Sequence, residues 1–222
     1  MSNPRLVLAS NSPRRRELLA LGGWKFESHT PEVDESQHPG EEAGKYVLRL
    51  AESKARSCAA SAHRESVIIA ADTTVVDGKT ILGKPGNAAE AVEMLRILRG
   101  RTHQVYSGIA VIGASDGNMG RDLCVTQVPM RDYDDQEIIA YVTSGDPLDK
   151  AGAYAIQHPE FHPVESMSGC YASVMGLPLC HLTRTLRPFG IVPNTDIAKE
   201  CQSWLNYACP ISARVLKGEQ VG

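Results

Sequence analysis

The sequence has no apolar run near the roughly 18 residues that a membrane-spanning helix needs, and its N-terminus lacks the apolar core of a signal peptide. A cytoplasmic protein without a membrane partner is therefore expected. Nor is there a surplus of positive charge. The 23 lysines and arginines against 26 acidic residues leave a formal charge of −3, so bulk attraction to nucleic acid is not expected. The six cysteines, at positions 58, 124, 170, 180, 201 and 209, include no C-x-x-C pair and no regular spacing. They read as reduced thiols, neither zinc ligands nor a disulfide framework. Internal repeats and low-complexity segments are absent. So are the usual phosphate-loop patterns, G-x-x-x-x-G-K-[ST] and G-x-G-x-x-G. A phosphate site in this chain has to be built from other parts.

What is present alternates between two periodicities. Strand patterns fall at residues 5–10, 24–29, 67–76, 104–113 and 121–129, with a short one near 171–175. Helix patterns fall at 13–21, 42–60, 88–99, 134–143, 178–186 and 195–207. Asp77-Gly78 and the "SDGN" of residues 115–118 are hairpin signals. Hairpins mixed with strand–helix units predict an α/β protein with a mixed sheet, and 222 residues suffice for one such domain plus a terminal extension. The longest stretch without clear periodicity is 145–170, and long loops of that kind are often functional.

Several residues stand where packing alone would not put them. In "NSPRRRELL", Ser12 offers an N-cap and Pro13 the first helical position, so Arg14, Arg15 and Arg16 fall in the first turn. Cations there oppose the helix dipole, at roughly 0.3–1 kcal/mol each when exposed, and call for an anion. Asp72 interrupts the apolar run "VIIAADTTVV"; it either caps a neighbouring loop or serves as a metal ligand or general base. Lys54 belongs to the stripe Val47, Leu50, Ala51, Ala55 and Cys58 of one helix. Its ammonium either snorkels past the alanines or points into a site, and on the stripe alone a methionine at 54 is expected to keep the fold. Glu35, Lys84 and Gln157 lie in loops and are uninformative singly, and the His158/His162 pair is a poor metal candidate beside two prolines. Taken together, the cations and acids form an inventory for holding a polyphosphate with a divalent metal, magnesium or manganese. The backbone N–H groups of the arginine-bearing helix start would take the phosphate.

The segments "LASNSPRRRELL", "PEVDES", "YVLRLAESKA", "ADTTVV", "GKP", "RGRTHQVYSGIAV", "DPLDKAGAYAIQ" and "VMGLPL" occur in an order that resembles the Maf family of nucleoside triphosphate pyrophosphatases. The resemblance covers about residues 5–187. It implies an α/β fold similar to that of the inosine triphosphate pyrophosphatases, with a bent mixed sheet, flanking helices and two lobes around a cleft. Residues 1–190 would form the nucleotide pyrophosphatase domain and 191–222 a C-terminal helical extension.

By the same resemblance, Ser10 and Arg15 match the family's phosphate loop, and Glu35, Lys54, Asp72 and Lys84 its acidic and basic cleft residues. Asp72 matches the proton acceptor, and the metal's carboxylates would include Glu35 or Asp72. Arg14, Thr73 and Gln157 are similar to the set of the dTTP/UTP type, the threonine leaving room beside the base. The implied reaction converts the triphosphate to monophosphate and pyrophosphate. Alternatives are the same reaction on 7-methyl-GTP or another modified nucleotide, and a non-catalytic nucleotide-binding regulator of cell division. The family leaves a homodimer open. The segment 158–170 departs from the family pattern at the turn after Gln157.

Overall fold

The computed structural model describes residues 5–222 and holds six strands in one mixed sheet. Strand β1 (Arg5–Ala9) runs parallel to β2 (Phe26–His29) on one side and to β3 (Ser66–Asp77) on the other. The short β4 (Thr80–Leu82) folds back on the end of β3. β5 (Thr102–Gly113) pairs antiparallel with β3, and β6 (Met119–Pro129) with β5, giving the order β2-β1-β3-β5-β6. Both hairpin signals are turns, with left-handed glycines at Gly78 (φ 60°) and Gly117 (φ 68°).

The helices are α1 (Pro13–Ala20), α2 (Ala43–Ala59), α3 (Ala88–Leu98), α4 (Asp135–Thr143), α5 (Tyr171–Val174), α6 (Leu179–Leu186), α7 (Ile197–Leu205) and α8 (Ser212–Leu216). One expected strand, near 171–175, is corrected: residues 171–174 form α5, closed by the Met175 N–H donating to the Tyr171 carbonyl at 3.2 Å. Periodicity cannot tell a four-residue apolar helix from a strand. The helix expected over 195–207 stops at Leu205, where Asn206 turns left-handed (φ 48°), and α8 is an element the sequence reading did not contain. Residues beyond 190 fold back on the body: Trp24 Nε1 donates to the Val192 carbonyl at 2.9 Å, and the Tyr207 hydroxyl accepts from Gly169 N–H at 3.1 Å.

Two features of β3 position the chemistry. First, period-two alternation turns Ile68, Ala70 and Asp72 toward α2, whose Ala51 and Ala55 pack on the same apolar cluster. Asp72 pairs in register with Gly108 of β5, and a Cβ built at Gly108 would meet the Val47 carbonyl group at 2.8 Å. The backbone of α2 thus rests on the strand itself. Second, β1 covers one edge of β3 only from Ser66 to Ile69, and β4 covers it only from Val75 to Asp77. Between them, residues 70–74 face a gap in the sheet.

Because Gly108 meets backbone, which no rotamer change can move, Gly108→Ala should lift α2 from the sheet and cost about 1–3 kcal/mol. Urea unfolding measures this, and an unchanged midpoint would contradict the close approach.

Candidate active site

The gap beside β3 opens into a cleft of about 420 Å³. Ser10, Arg14, Arg15, Glu35, Lys54, Thr73, Lys84 and Gln157 all line it, so eight residues from distant segments are brought together. Asp72 is the exception: it stands behind Lys54 and reaches the cleft through it. The gap accounts for the mixture of residues, since Asp72 and Thr73 point to opposite faces of β3 yet both border the uncovered edge.

The chain turns from β1 into α1 at the cleft wall. Buried Ser10 accepts the Ser12 N–H on its hydroxyl at 3.1 Å, and Ser12 in turn caps α1 by accepting the Arg15 N–H at 3.4 Å. Asn11, Ser12 and Arg14 all face the cleft there, so the first turn of α1 presents its backbone together with Arg14 and Arg15, while Arg16 does not line the cleft. Arg15 is locked sideways: Nε donates to the Gly176 carbonyl at 2.9 Å and Nη2 to Thr73 Oγ1 at 3.4 Å. Gly176 adopts φ 109°, and a Cβ there would lie 3.2 Å from Arg15 Nε, so glycine is needed for both reasons. Burial lowers the Arg15 pKa against the opposing pull of Asp72.

Opposite that turn, Lys54 is only 6 % exposed and Asp72 only 7 %. Lys54 Nζ lies 2.6 Å from Asp72 Oδ1 and 2.6 Å from Glu35 Oε1, one ammonium shared by two carboxylates. Glu35 arrives on a loop tied to α2, where the Tyr46 hydroxyl donates to the Glu35 carbonyl at 2.9 Å and Arg49 Nη2 to the Ser36 carbonyl at 3.0 Å. The two acids are driven in opposite directions. Burial pushes the Asp72 carboxyl above its ordinary range, only partly offset by Lys54 and Arg15. Partial burial also pushes Glu35 up, but Lys54, Lys84 and Arg15 outweigh it and hold Glu35 below the ordinary range.

The remaining oxygens of Asp72 and Glu35 accept no protein hydrogen bond among the described residues. The two carboxylates converge on Lys54, and each keeps a free oxygen of the kind a magnesium-type cation takes, with substrate oxygens and water completing its shell. No group of three or more His, Cys, Asp or Glu suited to a metal occurs among the described residues. His158 is a loop residue, its Nδ1 accepting the Phe161 N–H at 3.0 Å.

Sequence reasoning missed Lys150. It is buried on the cleft wall, with Nζ 2.9 Å from Asp146 Oδ1 and 2.6 Å from Asp149 Oδ1, and Asp149 lines the cleft beside it. The D-x-x-D-K spacing carried that signal inside a stretch otherwise without period. It also missed Tyr154, whose hydroxyl is 2.8 Å from His103 Nε2.

The buried carboxylate changes the expectation for Lys54→Met. Removing one partner of a buried pair leaves an uncompensated charge, at about 3–5 kcal/mol. Lys54→Met should lose stability on that scale in urea titrations, and Lys54→Met/Asp72→Asn should recover most of it. A single variant as stable as the parent would contradict the shared-ammonium geometry.

Comparison with known proteins places the chain in a family. The family model described as Maf-like protein matches residues 5–189. A dTTP/UTP pyrophosphatase of Dehalococcoides mccartyi is 44% identical over 191 residues, covering 86% of this chain and 84% of that protein. Another, of Desulforamulus reducens, is 44% identical over 186 residues, covering 84% and 97%. Among solved structures, the Staphylococcus aureus Ham1 protein overlaps 91% of this chain and 98% of its own, at 14% identity and a TM-score of 0.45. A family match over nearly the whole described chain, with relatives at that identity, establishes that this chain belongs to the Maf family.

Proposed function

We propose that this chain is a nucleoside triphosphate pyrophosphatase that hydrolyses the α–β anhydride of dTTP and UTP, releasing the monophosphate and pyrophosphate. The observation that carries the reading is the convergence of Arg14, Arg15, Glu35, Lys54 and Lys84 on one cleft, with Asp72 paired to Lys54 directly behind its wall. Relatives at 44% identity bear the name dTTP/UTP pyrophosphatase. The enzyme would act in the cytoplasm on free nucleotide, with residues 1–190 as the catalytic domain and 191–222 as its extension.

Ser10, the first turn of α1 and Arg15 would receive the triphosphate, the guanidinium offering paired donors to phosphate oxygens. Lys54 and Lys84 would add charge from the facing wall. Asp72, with its raised proton affinity, would accept the proton of the attacking water. Glu35, held ionised, would keep Lys54 oriented toward the cleft. A magnesium or manganese ion on Glu35 and Asp72 would neutralise charge developing on the phosphate oxygens. Arg14 and Gln157 would donate to the base carbonyls, while Thr73 completes that end of the site.

The proposal predicts pyrophosphate release from dTTP and UTP at kcat/KM about a hundredfold above CTP, ATP and GTP. 5-Substituted uridine triphosphates should also be accepted. A coupled pyrophosphate assay across a nucleotide panel measures this, and equal or faster hydrolysis of 7-methyl-GTP would overturn the pyrimidine reading. Asp72→Asn should lower kcat by about 10²–10⁴-fold while nucleotide binding, followed by calorimetry, changes little. Near-parental turnover in that variant would remove Asp72 from the role of base.

A further inference from the structure

Behind Thr73 runs a short chain of hydroxyls whose proton order is set by its far end. Ser107 Oγ lies 2.7 Å from the Ser173 carbonyl oxygen. A carbonyl carries no proton, and two bare oxygens at that separation repel, so the Ser107 hydrogen occupies this contact. Ser107 has only that one hydrogen. It must therefore accept from Thr73, whose Oγ1 is 2.8 Å away and which it faces across the β3–β5 ladder. Both Ser107 and Ser173 are fully buried, so water offers Ser107 no alternative partner.

The Thr73 hydrogen is thus committed away from the cleft. Arg15 Nη2 approaches Thr73 Oγ1 from another side, as a donor at 3.4 Å. Thr73 nevertheless lines the cleft and is only partly buried. What it presents there is a lone pair.

We infer that Thr73 reads the substrate as an acceptor only, that Ser107 is the positioning residue that makes it so, and that the group read is the imide N–H of a uracil or thymine base. The inference rests on the pyrimidine reading of the same cleft and deepens it. The pairing edge of these bases runs carbonyl, N–H, carbonyl. Arg14 and Gln157 bring donors for the carbonyls, and Thr73 supplies the acceptor that the N–H requires. Cytosine carries an unprotonated ring nitrogen at the N–H position, where two lone pairs would oppose each other. A threonine free to rotate would donate to cytosine and accept from uracil. The buried serine removes that freedom, and an unpaired polar group at the base then works against the wrong substrate.

The test is kcat/KM for UTP and CTP in the parent protein, Ser107→Ala, Thr73→Val and Thr73→Ser, with melting temperatures alongside. Ser107→Ala releases the Thr73 hydrogen, so the UTP-to-CTP ratio should fall about tenfold, with kcat/KM for CTP rising. Thr73→Val should cut UTP about tenfold more than CTP, and Thr73→Ser should keep the parental ratio. A Ser107 that only supports the fold would lower both substrates alike, and an unchanged ratio in Ser107→Ala would overturn the inference. If that variant melts early, an unchanged ratio in Thr73→Val overturns it instead. A parent protein without preference for UTP over CTP overturns the pyrimidine reading and this inference together, whereas a selective parent with unselective effects of the variants overturns this inference alone.

Discussion

One ammonium, nearly out of contact with water and shared between the buried Asp72 and the half-exposed Glu35, sets the terms for the rest of this molecule. Burying Asp72 or Lys54 alone would be costly, and only their mutual contact, with Glu35 as third partner, makes the arrangement tolerable. The contact requires α2 to lie against the sheet, hence Ala51 and Ala55 on its buried face and Gly108 beneath Val47. It also requires the loop that delivers Glu35 to be tied to α2, which Tyr46 and Arg49 do. The small residues on both sides of the interface follow from the position of one charge.

The incomplete pairing of β3 is the second constraint. A long strand flanked over its whole length would separate the residues of its two faces by the thickness of the sheet. Here β1 ends before the strand is half run and β4 joins only at its last residues, so both faces reach one opening. Arg14, Arg15, Glu35, Lys54, Thr73 and Gln157 then share a cleft although they come from opposite sides of the sheet, with Asp72 just behind Lys54.

Much of this was legible because it is local. The buried face of α2 is Val47, Leu50, Ala51, Lys54, Ala55 and Cys58, which is the stripe that helical spacing marks out, lysine included. The acid interrupting an apolar strand and the arginines on the first turn of α1 were equally plain, since each violates a rule of its own element. The ordered segments that resemble the Maf family led to the same cleft residues. The parts that stayed hidden depend on partners far along the chain. Residues 171–174 fold as a helix because they close onto their own backbone, and no periodicity in so short a run announces it. Lys150 is buried by acids within its own turn, but its place on the cleft wall comes from the fold as a whole. Ser107 and Ser173 look like ordinary polar residues until the sheet and α5 bring them to hydrogen-bonding distance.

In the proposed reaction, Asp72 directs water at the α-phosphorus and the terminal two phosphates leave as one unit. Hydrolysis of UTP in water enriched in heavy oxygen, with both products analysed by mass spectrometry, tests this most directly. The account predicts one labelled oxygen in the uridine monophosphate and none in the pyrophosphate. Label in the pyrophosphate, or release of orthophosphate carrying it, would place the attack at another phosphorus and contradict the arrangement of the site.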